Sequence, residues 1–299
     1  MNHLKIVLVD SNPLLVNAWN KQIQSILKYN GQLKSTVSIE VHQGTLSSLN
    51  PIHENNRKTT IVSPANSIGG MGGGFDEALC ELYTTNVGKE TKLASIETFI
   101  RKHLRHGYTP LGTAHILEFH DFPNFKESFA WKRFRANSIV VIPTMHVPKS
   151  IYTVLKEDSI DTIRVKHLEI VRFVFDCVWE IMCAVSRHNE KNQEGFENDI
   201  HGKIDNIILP GLGTGYGGLP TDLVSKGMIG ALSLWGLKLG SIGKYELYRG
   251  VICLAFLRED YTVFDNDEFI DIFEKIDGFN ILDSDVGEFY KLLFHKDNV

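Results

Sequence analysis

Short apolar runs alternate along the chain with longer stretches in which apolar residues recur every three or four positions. Nearly continuous, β-branched runs at Leu4 to Val9, Val37 to Val41, Thr60 to Ser63, Ala114 to Phe119, Ser138 to Ile142, Asn206 to Leu209 and Val251 to Phe256 predict strands. Continuous apolarity, rather than strict alternation, predicts that helices cover both faces of the sheet. Helical spacing places Ala78, Leu79 and Leu82 on one helix after Phe75, and Val224, Met228, Ala231, Leu232 and Trp235 on another after Pro220. A long helix over Ile163 to His188 carries Leu168, Val171, Phe175, Val178, Met182 and Val185 on a single stripe, which reads as core packing. Amphipathic pieces around Asp267 to Lys275 and Ser284 to Phe294 follow, and no internal repeat is visible.

This pattern predicts an α/β protein, read as one large domain over 1–299 with its core at about 4–294. The polar segment Ser186 to Asn206 reads as a solvated connection or insertion between the long helix and the next strand. The composition, 43% hydrophobic and 22% charged over 299 residues, fits an ordinary globular chain.

Charge narrows the function. A net charge of −5 and a pI near 6.2 argue against nucleic-acid binding, which wants a basic surface. The dense basic cluster Arg101 to Tyr108, RKHLRHGY, suits the cationic end of a helix. The four cysteines form no CxxC pair, and the 12 histidines form no HExxH motif or Cys/His knuckle, so a metal site has no sequence support. The opening MNHLKIVLVDSN is too short in apolar run for a signal peptide or membrane span, which predicts an intracellular protein, cytoplasmic or nuclear, with no membrane partner.

Two glycine-rich loops carry the candidate chemistry. In SPANSIGGMGGGFDEAL, Ser63 to Leu79, five glycines fall within six positions between a strand and a helix. In IILPGLGTGYGGLP, Ile207 to Pro220, five fall within eight positions between another strand and helix. Backbone N–H groups of such a loop, together with a helix N-terminus, form an anion site, and two loops predict two phosphates. Tight turns that let helices pack closely on strands would also use glycine. Gly213, Gly215 and Gly218 satisfy GxGxxG, but no acidic residue follows in GLKLGSIGKY where a dinucleotide fold needs one for the ribose. Neither loop ends in Gly-Lys-Ser/Thr, which excludes a Walker P-loop.

These loops resemble those of the macro domain, the ADP-ribose-binding family. Pro64-Ala65-Asn66-Ser67 followed by Gly72-Gly73-Gly74-Phe75-Asp76 is similar to the family's Asn-Ala-Ala-Asn and Gly-Gly-Gly-hydrophobic-Asp pattern, and Pro210 to Gly218 resembles its distal phosphate loop. The opening LVDSNP, Ser63 to Ser67 and IPTMHVP, Ile142 to Pro148, resemble a microbial and fungal subgroup that processes ADP-ribose 1''-phosphate. The resemblance spans roughly Leu4 to Phe294. It implies a three-layer α/β/α fold with a mixed central sheet, an extra N-terminal strand and helical insertions.

It also implies roles. Asn66 would hold the distal ribose, and Asp76 would orient or deprotonate an attacking water, making these the candidate catalytic pair. Gly72, Gly73, Gly74, Phe75, Gly211, Leu212, Gly213, Thr214, Gly215, Tyr216 and Gly217 would bind substrate, with Phe75 and Tyr216 packing on the distal ribose. A first-turn helix acid is an alternative reading of Asp76, and an Asx turn of Asn66. His146 could lie near the pocket mouth or be structural.

One departure stands out: where the family has Gly-Asp-Ile, whose aspartate bonds the adenine amino group, this chain has Gly44-Thr45-Leu46. Asp10 is the candidate replacement, although a helix cap before Pro13 is an alternative reading. The glutamate pair of poly(ADP-ribose) glycohydrolases is missing, which argues against chain cleavage. The resemblance therefore implies a cofactor-free, metal-independent phosphatase acting on ADP-ribose 1''-phosphate, a by-product of transfer RNA splicing. An ADP-ribosyl hydrolase acting on modified protein or O-acetyl-ADP-ribose, and a non-catalytic ADP-ribose-binding module, remain open.

Overall fold

The computed structural model describes residues 3–29, 36–52, 58–84, 95–122, 124–192, 202–237, 245–260 and 278–294, together with 274 and 276. Six strands, β1 (Leu4–Asp10), β2 (Val37–Gln43), β3 (Lys58–Ser63), β4 (His115–Glu118), β5 (Ala136–Val141) and β6 (Ile204–Pro210), form one sheet in the order β2-β1-β6-β3-β5-β4. Every pairing is parallel except β4 with β5, so the sheet is mixed, as expected. Eight helices are described: α1 (Pro13–Tyr29), α2 (Gly74–Tyr83), α3 (Ile96–His103), α4 (Phe129–Phe134), α5 (Ile160–Lys191), α6 (Thr221–Gly236), α7 (Tyr245–Phe256) and α8 (Val286–Phe294).

Side chains alternate along a strand, and both directions are apolar here. Ile6 and Leu8 join a core built with α1, α5, α6, α7 and α8, whereas Val7 and Val9 join a second core with α2, α3 and α4. The result is the three-layer arrangement the continuous runs predict. Each aliphatic side chain buried this way contributes about 1.5–3 kcal/mol. The α5 stripe packs as expected, with Val171, Phe175, Val178, Met182 and Val185 buried. Ser159 starts that helix by accepting the Thr162 N–H at its hydroxyl.

The structure corrects one element. Val251–Phe256, expected as a strand, is the second half of α7. Six consecutive apolar residues cannot be assigned by periodicity alone, and here the segment packs against a neighbouring helix. A Cβ on Gly230 of α6 would collide with the Phe256 ring, so the missing side chain admits α7 against α6. The polar connection is also shorter than expected, because α5 continues to Lys191 and β6 begins at Ile204, with 193–201 outside the described residues. The amphipathic piece expected at 267–275 also lies outside them, apart from Glu274. Among the described residues, no helix is long and apolar enough to cross a membrane.

Candidate functional site

Parallel pairing brings the C-terminal ends of β1, β2, β3, β5 and β6 to one edge of the sheet. In open α/β sheets, the crevice beyond such an edge is where ligands bind. A cleft of about 620 Å³ lies there, lined by residues from five connections: Asp10 to Asn12, Gly44 to Leu46, the loop before α2, Thr144 to Pro148, and the loop after β6. Its size suits a nucleotide-sized ligand.

The first loop is organised by Asn66. Its Oδ1 accepts the backbone N–H groups of Ile68 at 3.2 Å and Gly70 at 3.0 Å, and its Nδ2 donates to the Gly70 carbonyl at 3.0 Å. Both oxygen lone pairs are thus used, leaving one Nδ2 hydrogen for a ligand. Asn66 is therefore an Asx-turn residue that also lines the cleft, where it can donate but not accept. The backbone on either side continues the β3–β5 pairing: Ile142 N donates to Ser63 O, Thr144 N to Ala65 O, and Ser67 N to Met145 O.

Asp76 is the third residue of α2, and it lines the same cleft although it is only 9% exposed. The Ser63 hydroxyl, at the end of β3, donates to Asp76 Oδ1 at 2.6 Å. Burial pushes the carboxyl up from 3.8 to about 6, and the Ser63 hydrogen bond opposes that shift. Near neutral pH such a group is mostly ionised yet close to its titration point, which suits a general base. Ser63 had no role assigned from sequence, although it opens the Ser63 to Ser67 stretch of the resemblance and is a polar residue closing an apolar strand end.

The glycines do two different jobs. Nothing lies within 4 Å of a Cβ built on Gly72, Gly74 or Gly215, so these positions leave open space at the cleft. By contrast, a Cβ on Gly211 would collide with Leu15 and come within 2.7 Å of Asp10 Oδ2, and one on Gly217 would lie 2.5 Å from the Gly213 carbonyl oxygen. Those two allow the chain to approach itself. Gly73 is the meeting point of the loops, since a Cβ there would lie 2.7 Å from the Tyr216 hydroxyl. Tyr216 therefore lies across the cleft from the second loop to the first.

Of the expected binding residues, Gly72, Gly73, Gly74, Phe75, Gly211, Gly213, Thr214, Gly215 and Tyr216 line the cleft, as does Asp10. Leu212 and Gly217 do not; the Leu212 side chain is fully buried in the core beneath the loop. Asp10 is not the cap of α1. Asn12 holds that position, accepting Leu14 N at its side chain and Val16 N at its carbonyl, while Asp10 Oδ1 accepts Asn12 N at 2.8 Å. Thr45 lines the cleft beside it, with its hydroxyl 2.7 Å from that of Ser47. His146 is exposed beside Met145, its Nδ1 3.1 Å from Ser67 Oγ, and is not among the lining residues. Sequence reasoning missed the contributions of Ser11, Asn12, Ala78 and Met145. Ser11, Asn12 and Met145 lie in the LVDSNP and IPTMHVP stretches of the resemblance, which assigned them no role, and Ala78 carries no motif signal; the fold brings all four to this edge.

The family model described as a Macro-like domain matches residues 1–264. That span contains both glycine loops, all six strands and every residue lining the cleft. With a mixed six-stranded sheet, helices on both faces and a glycine-lined cleft at the strand ends, this chain belongs to the macro-like domain family.

Proposed function

We propose that the cleft binds ADP-ribose and that the protein is a metal-independent phosphatase, hydrolysing ADP-ribose 1''-phosphate to ADP-ribose and phosphate. Family membership supports ADP-ribose binding or processing as the general role. The observation that carries the catalytic reading is Asp76: a buried carboxylate at the cleft wall, aligned by Ser63, with its pKa raised to about 6.

In this reading the N–H groups of the two loops bind the diphosphate, and Asn66 donates its remaining amide hydrogen to the distal ribose. Asp76 accepts a proton from water as that water attacks phosphorus. The bond from phosphorus to the oxygen on C1'' breaks, that oxygen takes a proton from solvent to become the free hydroxyl, and Asp76 returns its proton to solvent. Phosphoryl transfer of this kind depends mainly on positioning and on stabilising spread negative charge, which oriented backbone dipoles supply.

A binding-only role has one observation in its favour: the Asn66 amide is largely occupied by its own loop. Purified protein in chelator is incubated with ADP-ribose 1''-phosphate and, separately, with a mono-ADP-ribosylated protein, and the products are read by mass spectrometry and phosphate release. Phosphate from the first substrate alone supports the phosphatase. ADP-ribose released from the second alone moves the activity to ADP-ribosyl hydrolysis. Turnover of neither, with ADP-ribose bound in calorimetry, leaves a binding module.

A further inference from the structure

The cleft presents an electrostatic problem. Its charged lining residues are Asp10 and Asp76, and among the described residues that line it none has a cationic side chain. A phosphomonoester dianion at the reacting end would face Asp76 with only neutral donors, backbone N–H groups and the Asn66 amide, to offset the repulsion.

Arg101 stands just behind that end. It belongs to the basic cluster expected to be a plain helix terminus, and it does lie in the last turn of α3. Its side chain, however, reaches the first loop: a Cβ on Gly69 would lie 3.6 Å from Arg101 Cγ, and one on Gly70 would lie 3.6 Å from Arg101 Nη2 and 3.0 Å from Asn66 Nδ2. The side chain missing from Gly70 thus leaves the Asn66 amide and the Arg101 guanidinium facing one shared space. Gly70 and Asn66 both line the cleft. Arg101 is half-exposed and is held there by Glu97, one turn earlier, at 2.5 Å.

We propose that Arg101 is a specificity-determining residue that recognises a terminal phosphate at the Asn66 and Gly70 end of the cleft, with Glu97 holding its guanidinium in place until that phosphate arrives. The proposal rests on the phosphatase reading of the same cleft. A guanidinium offers several N–H donors in a fixed fork, matched to phosphate oxygens. Unphosphorylated ADP-ribose offers only neutral hydroxyls there, so Arg101 separates the two ligands by charge.

The test is calorimetry with ADP-ribose 1''-phosphate and with ADP-ribose, comparing Arg101→Gln and Glu97→Gln, each in an Asp76→Asn background that removes turnover. Arg101→Gln is expected to weaken binding of the phosphorylated ligand about tenfold, with ADP-ribose affinity within about twofold. Glu97→Gln frees the guanidinium and is expected to keep or raise affinity for the phosphorylated ligand. Equal loss for both ligands in Arg101→Gln would mark a structural role and overturn the proposal, as would no loss for either. The phosphatase reading fails separately, by the absence of phosphate release from the chain with Asp76 intact.

Discussion

Ser63 and Asp76, 13 residues apart, are joined by a 2.6 Å hydrogen bond that ties the end of β3 to the first turn of α2. The bond fixes one carboxylate oxygen at the cleft wall, and it partly offsets the burial that raises the carboxyl pKa. The contact therefore positions the candidate base and moderates its protonation, which burial dominates.

Asp76→Asn is expected to abolish turnover, spare ADP-ribose binding and raise stability at alkaline pH. The carboxyl titrates at about 6 when folded against 3.8 ordinarily, so the folded state holds the proton more tightly. The stability tied to this group is complete below about pH 3.8 and is lost as pH rises through 6. Asparagine removes the buried charge while keeping an acceptor for Ser63, a gain of up to about 3 kcal/mol at pH 8 that vanishes near pH 4. Thermal melts at the two pH values check the sign. In the unsubstituted protein, the phosphatase reading predicts that kcat/KM falls as pH drops through about 6.

Ser63→Ala removes the hydrogen bond that lowers the Asp76 pKa. The acidic limb of the pH–rate profile should shift upward from about 6, and stability at pH 8 should fall by about 1–3 kcal/mol, because a buried carboxylate loses its partner. A limb that stays in place would show that another group controls it.

Gly72→Ala and Gly211→Ala should separate ligand space from chain packing. Gly72 has open space around a new Cβ, so alanine there should change stability by less than about 0.5 kcal/mol while weakening ADP-ribose binding. At Gly211, alanine meets Leu15 and Asp10, and a loss of about 1–3 kcal/mol in chemical denaturation is expected.

Asp10→Asn tests the base-recognition end. Asp10 lies at the cleft wall, and its carboxylate is the acceptor proposed for a nucleobase amino group. Calorimetry should show ADP-ribose binding weakened by about 1.5–3 kcal/mol, with ribose 5-phosphate, which has no base, unaffected. Equal weakening of both ligands would assign Asp10 to loop structure instead.

The linear pattern of apolar residues was sufficient to determine the layers, because a strand apolar in both directions must be covered twice, and Val7 and Val9 do face a different core from Ile6 and Leu8. It also located both glycine loops, since strand, bare backbone and helix N-terminus are contiguous in the chain. Tertiary structure decided the rest. Val251–Phe256 forms a helix whose Phe256 ring packs where Gly230 of α6 has no side chain, and whether a glycine served the ligand or the chain depended on what approached it. The Ser63–Asp76 bond, the Tyr216 contact at Gly73 and the approach of Arg101 to Gly70 all join separate segments. Periodicity reports which face a residue shows its neighbours along one element; the partner across a cleft is chosen only when the whole sheet brings the strand ends to a common edge.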